Sequence, residues 1–177
     1  MSGLERLRAL LREEGGLLAT LLSPDGYATP PQSPQSPALL AADGPRAEGR
    51  REEYELLMEA IYEGYLLHYG TPRVVLAPDA DLRLLAGDRL YAVGLARLVA
   101  LGDTAAVAEL ADTITLSALA QGAENEALAD AVWAAGARAI GWGASDSHKR
   151  AKELVHAGAP GAFEAMRTSA AGAPASP

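Results

Sequence analysis

The sequence predicts an all-α protein, and three observations carry that prediction. Hydrophobic residues make up 49% of the 177 residues but aromatics only 5%, with alanine and leucine dominating. That mixture suits closely spaced helices better than sheets of β-branched and aromatic residues. Apolar residues recur three and four apart through most of the chain, the spacing of one helical face. The stretches break at helix-stopping dipeptides and tripeptides such as Gly70-Thr71-Pro72 and Gly102-Asp103. The length suits one domain with a real core.

Taken in order, Leu4, Leu7, Leu10, Leu11, Leu17, Leu18, Leu21 and Leu22 predict an amphipathic helix over residues 1–22, interrupted at Gly15-Gly16. Its stripe faces either its own domain or a partner chain. Residues 23–49 carry Pro24, Pro30, Pro31, Pro34, Pro37 and Pro45 among Ser, Gln and Gly, and predict a Pro-rich linker or long surface loop. The Pro-Gln-Ser-Pro-Gln-Ser-Pro run within it reads as a tether more readily than as a polyproline ligand.

A helical domain follows over residues 50–168. Tyr54, Leu57, Met58, Ile61, Tyr62, Tyr65 and Leu66 line one face of a helix that ends by Gly70. Asp79 or Asp81 caps the next, with Leu82, Leu85, Leu90, Val93 and Leu98, and Thr104 opens another that runs to about Gly122. Further helices are predicted over about 124–142, 148–157 and 162–167, and residues 169–177 as a disordered tail.

The charge balance excludes several functions. A net charge of −8 and a pI near 4.9 argue against nucleic acid and anionic lipid surfaces as partners. The absence of cysteine removes disulfides and thiolate metal sites, and fits a cytoplasmic protein. The first residues mix charges with leucines, so no signal peptide is expected. The most apolar window, 82–101, contains Arg83, Asp88, Arg89 and Arg97, so no transmembrane segment is expected either. No serine sits in a nucleophile-elbow pattern and no Gly-rich loop follows a predicted strand, which leaves hydrolase and nucleotide-binding readings unsupported.

The run Leu84-Leu85-Ala86-Gly87-Asp88-Arg89-Leu90-Tyr91-Ala92, followed by Leu98, Leu101 and Gly102-Asp103, resembles a core-helix segment of the trans-isoprenyl (polyprenyl) diphosphate synthases that reads leucine-alanine-glycine-aspartate. Gly70-Thr71-Pro72 lies, without a gap, where that family has arginine-arginine-glycine-lysine-proline, and Ala120-Gln121-Gly122 where it has glutamate-glycine-glutamine. The resemblance covers roughly residues 52 to 125 and implies a shortened isoprenoid-synthase-like helical bundle.

The departures from the family pattern bear on chemistry. Its first aspartate-rich motif holds magnesium against a diphosphate through hard oxygen ligands, and its arginines bind the diphosphate charge. By the resemblance those aspartate positions fall on Glu59, Ala60 and Glu63, the arginine pair on His68 and Tyr69, and the lysine on Thr71. The cations are gone, so a diphosphate here would meet carboxylates alone. The second motif finds no counterpart, since Ser145-Asp146-Ser147-His148-Lys149-Arg150 reads as a helix start with Ser145 or Asp146 as its cap.

These departures imply a non-catalytic subunit of a heteromeric long-chain synthase, with no cofactor of its own and magnesium in a catalytic polyprenyl diphosphate synthase partner. A helical scaffold with no role in prenyl transfer is the alternative, and an active enzyme using Glu59 and Glu63 a third. Glu59 and Glu63, one turn apart, are weak metal candidates read first as exposed acids on a solvated face or an interface. Leu57, Ile61, Tyr62 and Tyr65 on one helix, with Leu90, Tyr91, Val93 and Leu95 on the next, are candidates for core, partner surface or the wall of a prenyl tunnel. Gly87 and Gly94 predict close helix contact, because glycine inside a helix costs about 1 kcal/mol against alanine. Asp88 is expected in a buried polar bond. His68 has no ligand partner at helical spacing, and Trp133 and Trp142 fall on different faces, one for the core and one for an interface.

Overall fold

Side chains that cap the backbone set where six of the helices begin. Ser2, Ser36, Asp79, Asp103, Asn125 and Ser145 each accept a hydrogen bond from the backbone N–H three residues on, satisfying a donor that the first helical turn leaves unpaired. The computed structural model describes residues 1–24 and 36–172. Its helices are α1 Gly3–Glu14, α2 Gly16–Thr20, α3 Pro37–Ala42, α4 Arg51–Tyr69, α5 Ala80–Ala100, α6 Thr104–Gly122, α7 Glu126–Trp142, α8 Asp146–His156 and α9 Ala162–Ala171. A 3-10 turn covers Pro45–Ala47. The protein is all-α, and among the described residues the one extended pairing is an isolated antiparallel bridge between Leu22 and Val75. No described helix is long and apolar enough to cross a membrane.

Two helices organise the packing. α4 lies against α1, α3 and α5, while α7 lies against α3, α6 and α9, so short α3 is wedged between the two. Between α4 and α7 the space is filled by Tyr62, Tyr65 and Trp133, whose rings meet edge-on or tilted at 5.0 and 5.1 Å between centroids. Where bulky residues are missing, backbones approach instead. A Cβ added at Gly94 would press into Ile61, and one at Gly87 into the His68 ring and the Gly64 carbonyl. The leucines of α1 also find a home: Leu4, Leu7 and Leu11 are buried, and Leu7 and Leu11 join Leu67, Val75 and Leu90 in one cluster. The amphipathic stripe therefore serves the chain's own core.

Two expectations need correction. Residues 23–49 are not simply a linker, because α3 and the 3-10 turn bury Ala38, Ala41, Ala42 and Ala47 completely or nearly so. Ser36 caps α3 and Pro37 sits at its first position, where a missing N–H costs nothing. Small side chains then let this segment touch α7 backbone to backbone, so that a Cβ at Gly44 would overlap Gly141. Pro30, Pro31 and Pro34 lie outside the described residues. At the other end α9 runs to Ala171 and closes on Gly172 at φ 74, so the predicted tail begins later than residue 169. Residues 173–177 are outside the description.

Candidate functional site

The α4 helix carries Glu55, Glu59 and Glu63 at intervals of four, which aligns three carboxylates along one face. All three are buried, with Glu59 and Glu63 at 0% exposure, so the expected solvated acids are instead the most enclosed charges of the helix. Burial of a charge demands partners, and each has them. Glu55 accepts from the Gly3 backbone N–H at 2.9 Å and from Arg6, which fixes the start of α1. Glu63 Oε1 accepts from three successive backbone N–H groups, Arg73 at 2.7 Å, Val74 at 2.6 Å and Val75 at 3.1 Å. The Arg73 guanidinium completes the set with Nε at 3.1 Å from Glu63 and a terminal nitrogen at 2.7 Å from Glu59. It also lies over the Tyr62 ring at 5.2 Å.

Chemically this is an internal clasp. Burial pushes the Glu59 carboxyl above its usual value, and Arg73 opposes that without reversing it. The residues do not fit a magnesium ion, because Glu63 spends both oxygens on Arg73 and the loop, and Arg73 occupies the space a cation would take. Among the described residues no group of three or more His, Cys, Asp or Glu is arranged to hold a metal ion.

The interface or tunnel candidates divide by burial. Leu57, Ile61, Tyr65, Leu90 and Val93 are core residues, while Tyr62, Tyr91 and Leu95 pack partly buried against the same interior. The Tyr65 hydroxyl accepts from Gln121 Nε2 at 2.7 Å, which ties α4 to the end of α6. His68 stacks on Tyr91 with centroids 5.3 Å apart and the rings nearly parallel. Asp88 differs from expectation: it is exposed, and its carboxylate lies 3.2 Å from His68 Nε2 at an angle that makes no hydrogen bond. Leu84, Leu85 and Val99 project from the side of α5 away from α4 and are 49%, 55% and 60% exposed.

A second polar cluster joins α6, α8 and α9. His148, buried at the start of α8, places Nε2 2.6 Å from Glu109 Oε1 and Nδ1 2.8 Å from Ser169 Oγ. Lys152 bonds the other Glu109 oxygen at 2.9 Å and Asp112 at 2.7 Å. Burial raises the Glu109 carboxyl, but the hydrogen bonds and charges of His148 and Lys152 more than offset this and hold it below its usual value. An ionised Glu109 can only accept, so Nε2 carries a hydrogen and Nδ1 faces the serine. Beside it opens a pocket of about 210 Å³ lined by Arg138, Trp142, Gly143, Ser145, His148 and Ser169, among others.

Sequence reasoning offered Ser145 or Asp146 as a cap, and it is Ser145, with its Oγ 3.1 Å from the His148 N–H. It did not find Glu55, Arg73, Arg138 or the grouping of Glu109, His148 and Ser169. The four-residue spacing of Glu55, Glu59 and Glu63 was the available signal for the first of these. Compared with family models, with curated proteins and with solved structures, the chain matches none.

Proposed function

We propose that this chain is a non-catalytic subunit of a heteromeric trans-polyprenyl diphosphate synthase, supporting long-chain prenyl diphosphate synthesis by a catalytic partner chain in the cytoplasm. The observation that carries the reading is the use made of Glu59 and Glu63. Of the three positions where the resemblance puts metal-binding acids, Ala60 has no carboxylate, and those of Glu59 and Glu63 are turned inward onto Arg73, which supports a helical frame without diphosphate chemistry. Magnesium then belongs to the partner. Leu84, Leu85 and Val99, exposed large apolar residues of α5, support the second half of the reading as points where a partner chain would pack. A growing prenyl chain would lie at that shared boundary.

The test mixes this chain with a synthase chain that carries both aspartate-rich motifs and follows elongation of farnesyl diphosphate by labelled isopentenyl diphosphate. A change in rate or product length on mixing, with no activity from this chain alone, is the expected result. Activity from this chain alone, abolished by Glu59→Gln, would overturn it. An unchanged rate and product length would favour a scaffold with no role in prenyl transfer.

A further inference from the structure

The pocket beside His148 carries a charge that no described residue answers with an ion pair. In a chain with 23 acidic and 15 basic residues, the pocket lining contains no aspartate or glutamate. It does contain Arg138, which sits on α7 between buried Ala137 and Ala139 and forms no ion pair or hydrogen bond among the described residues. Its guanidinium carbon instead lies over the Trp142 ring, 4.8 Å from the centroid, and a Cβ at Gly172 would overlap it. A cation over a ring face is attracted to the ring without using its N–H donors, which stay available.

We propose that this pocket binds a small phosphate-type oxyanion, with Arg138 as its charge partner and the hydroxyls of Ser169 and Ser145 as donors once they turn from His148 Nδ1 and Ser147 Oγ toward it. The three donors come from three elements, α7, the end of α9 and the turn before α8, and all line the same space. Donors distributed around a volume suit tetrahedral oxygens better than the two coplanar oxygens of a carboxylate. Glu109, the nearest buried acid, does not line the pocket and is already engaged by His148 and Lys152. The volume of about 210 Å³ lies below the ~300–1,000 Å³ of sites for drug-sized ligands, which fits a phosphate group and little attached to it. The site is independent of the prenyl-synthase reading, since it stands on α7, α8 and α9 beyond the span of that resemblance.

The experiment is calorimetric titration of the full chain with inorganic phosphate at low ionic strength, with acetate as the comparison. Saturable binding of one phosphate is expected, weakened about tenfold or more in Arg138→Gln, because a hydrogen bond to a charged group carries that much. Arg138→Lys keeps the charge without the fork and should fall between, and Ser169→Ala should weaken binding several-fold, which keeps the test alive if Arg138→Gln fails to fold. Arg150→Gln, at an exposed cation on α8, should leave binding unchanged. Absence of saturable phosphate binding, acetate binding as tightly as phosphate, or equal losses in Arg138→Gln and Arg150→Gln would each overturn the proposal.

Discussion

Glu63 holds Arg73 by backbone and side chain at once, with the Arg73 N–H 2.7 Å from Oε1 and its Nε 3.1 Å from Oε2. The loop between α4 and α5 is thereby folded back onto the helix it leaves. From the other side Arg83 donates to the carbonyl oxygens of Leu67 at 3.1 Å and Gly70 at 2.7 Å, satisfying acceptors that the end of α4 leaves open. The bridge from Leu22 to Val75 then fastens the end of the N-terminal helices to the same loop, with the Ser23 N–H 2.8 Å from the Val74 carbonyl.

Arg73→Ala should therefore destabilise the fold by about 3–5 kcal/mol, because it strands two buried carboxylates. Glu59 is the sharper probe of the pair. Its carboxyl is raised in the folded state, so its contribution is present below the ordinary value of 4.5 and is lost as pH rises through the folded value. Removing Arg73 widens that window. Urea unfolding across pH should show the Arg73→Ala protein recovering stability as pH falls from neutrality, and adding Glu59→Gln should cancel much of the recovery. A flat pH response in Arg73→Ala would contradict this account.

The acid limb belongs to Glu109. Its folded carboxyl is lowered, so the stability it contributes is present above 4.5 and disappears as pH falls through the folded value. Glu109→Gln should cost about 2 kcal/mol or more at neutral pH, through weakened bonds to His148 and Lys152, and should flatten the loss of stability below pH 4.5. Thermal melts at a series of pH values decide it.

The alkaline limb rests on Tyr54. Burial, then its hydrogen bond to Asp103 at 2.6 Å and the charge of that aspartate, push the phenol from 10.0 up to about 12. A raised phenol contributes stability that is complete below 10.0 and lost as pH climbs through the folded value. Tyr54→Phe should make the stability curve shallower in that range. Some slope must remain, because burial also raises Tyr62, Tyr65 and Tyr91.

Gly44→Ala and Gly141→Ala should each lower the melting temperature, since either Cβ enters the backbone contact between α7 and the segment after α3. Overpacking of this kind costs about 1–3 kcal/mol. Gly122→Ala, where an added Cβ meets nothing, is the matching control and should leave the melting temperature close to that of the parent.

What the sequence disclosed follows from the range of the interactions involved. The starts at Asp79 and Ser145 were readable to within two candidates each, Asp79 or Asp81 and Ser145 or Asp146, because a cap and its N–H are three residues apart. The α3 helix was hidden by its surroundings: prolines dominate the segment, yet Ser36 and Pro37 together make a helix start, and the Ala-Leu-Leu-Ala-Ala that follows is short. The burial of Glu59 and Glu63 was hidden for a different reason. Their partner is 14 and 10 residues away across a Gly-Thr-Pro break, and a carboxylate on a helix reads the same whether water or an arginine faces it. Ser169, His148 and Glu109 are separated by 21 and 39 residues, so only the packing of three helices brings them together.

Trp133 and Trp142 sit on one helix in opposite settings, the first sealed among Tyr62 and Tyr65 at 1% exposure and the second 37% exposed beneath Arg138. Optically they form two separate reporters. A water-borne quencher reaches Trp142 and spares Trp133, while energy absorbed by the adjacent Tyr62 and Tyr65 passes chiefly to Trp133, whose ring touches theirs. One emission spectrum, split by quenching, therefore follows the integrity of the interior and the solvent side of α7 at the same time.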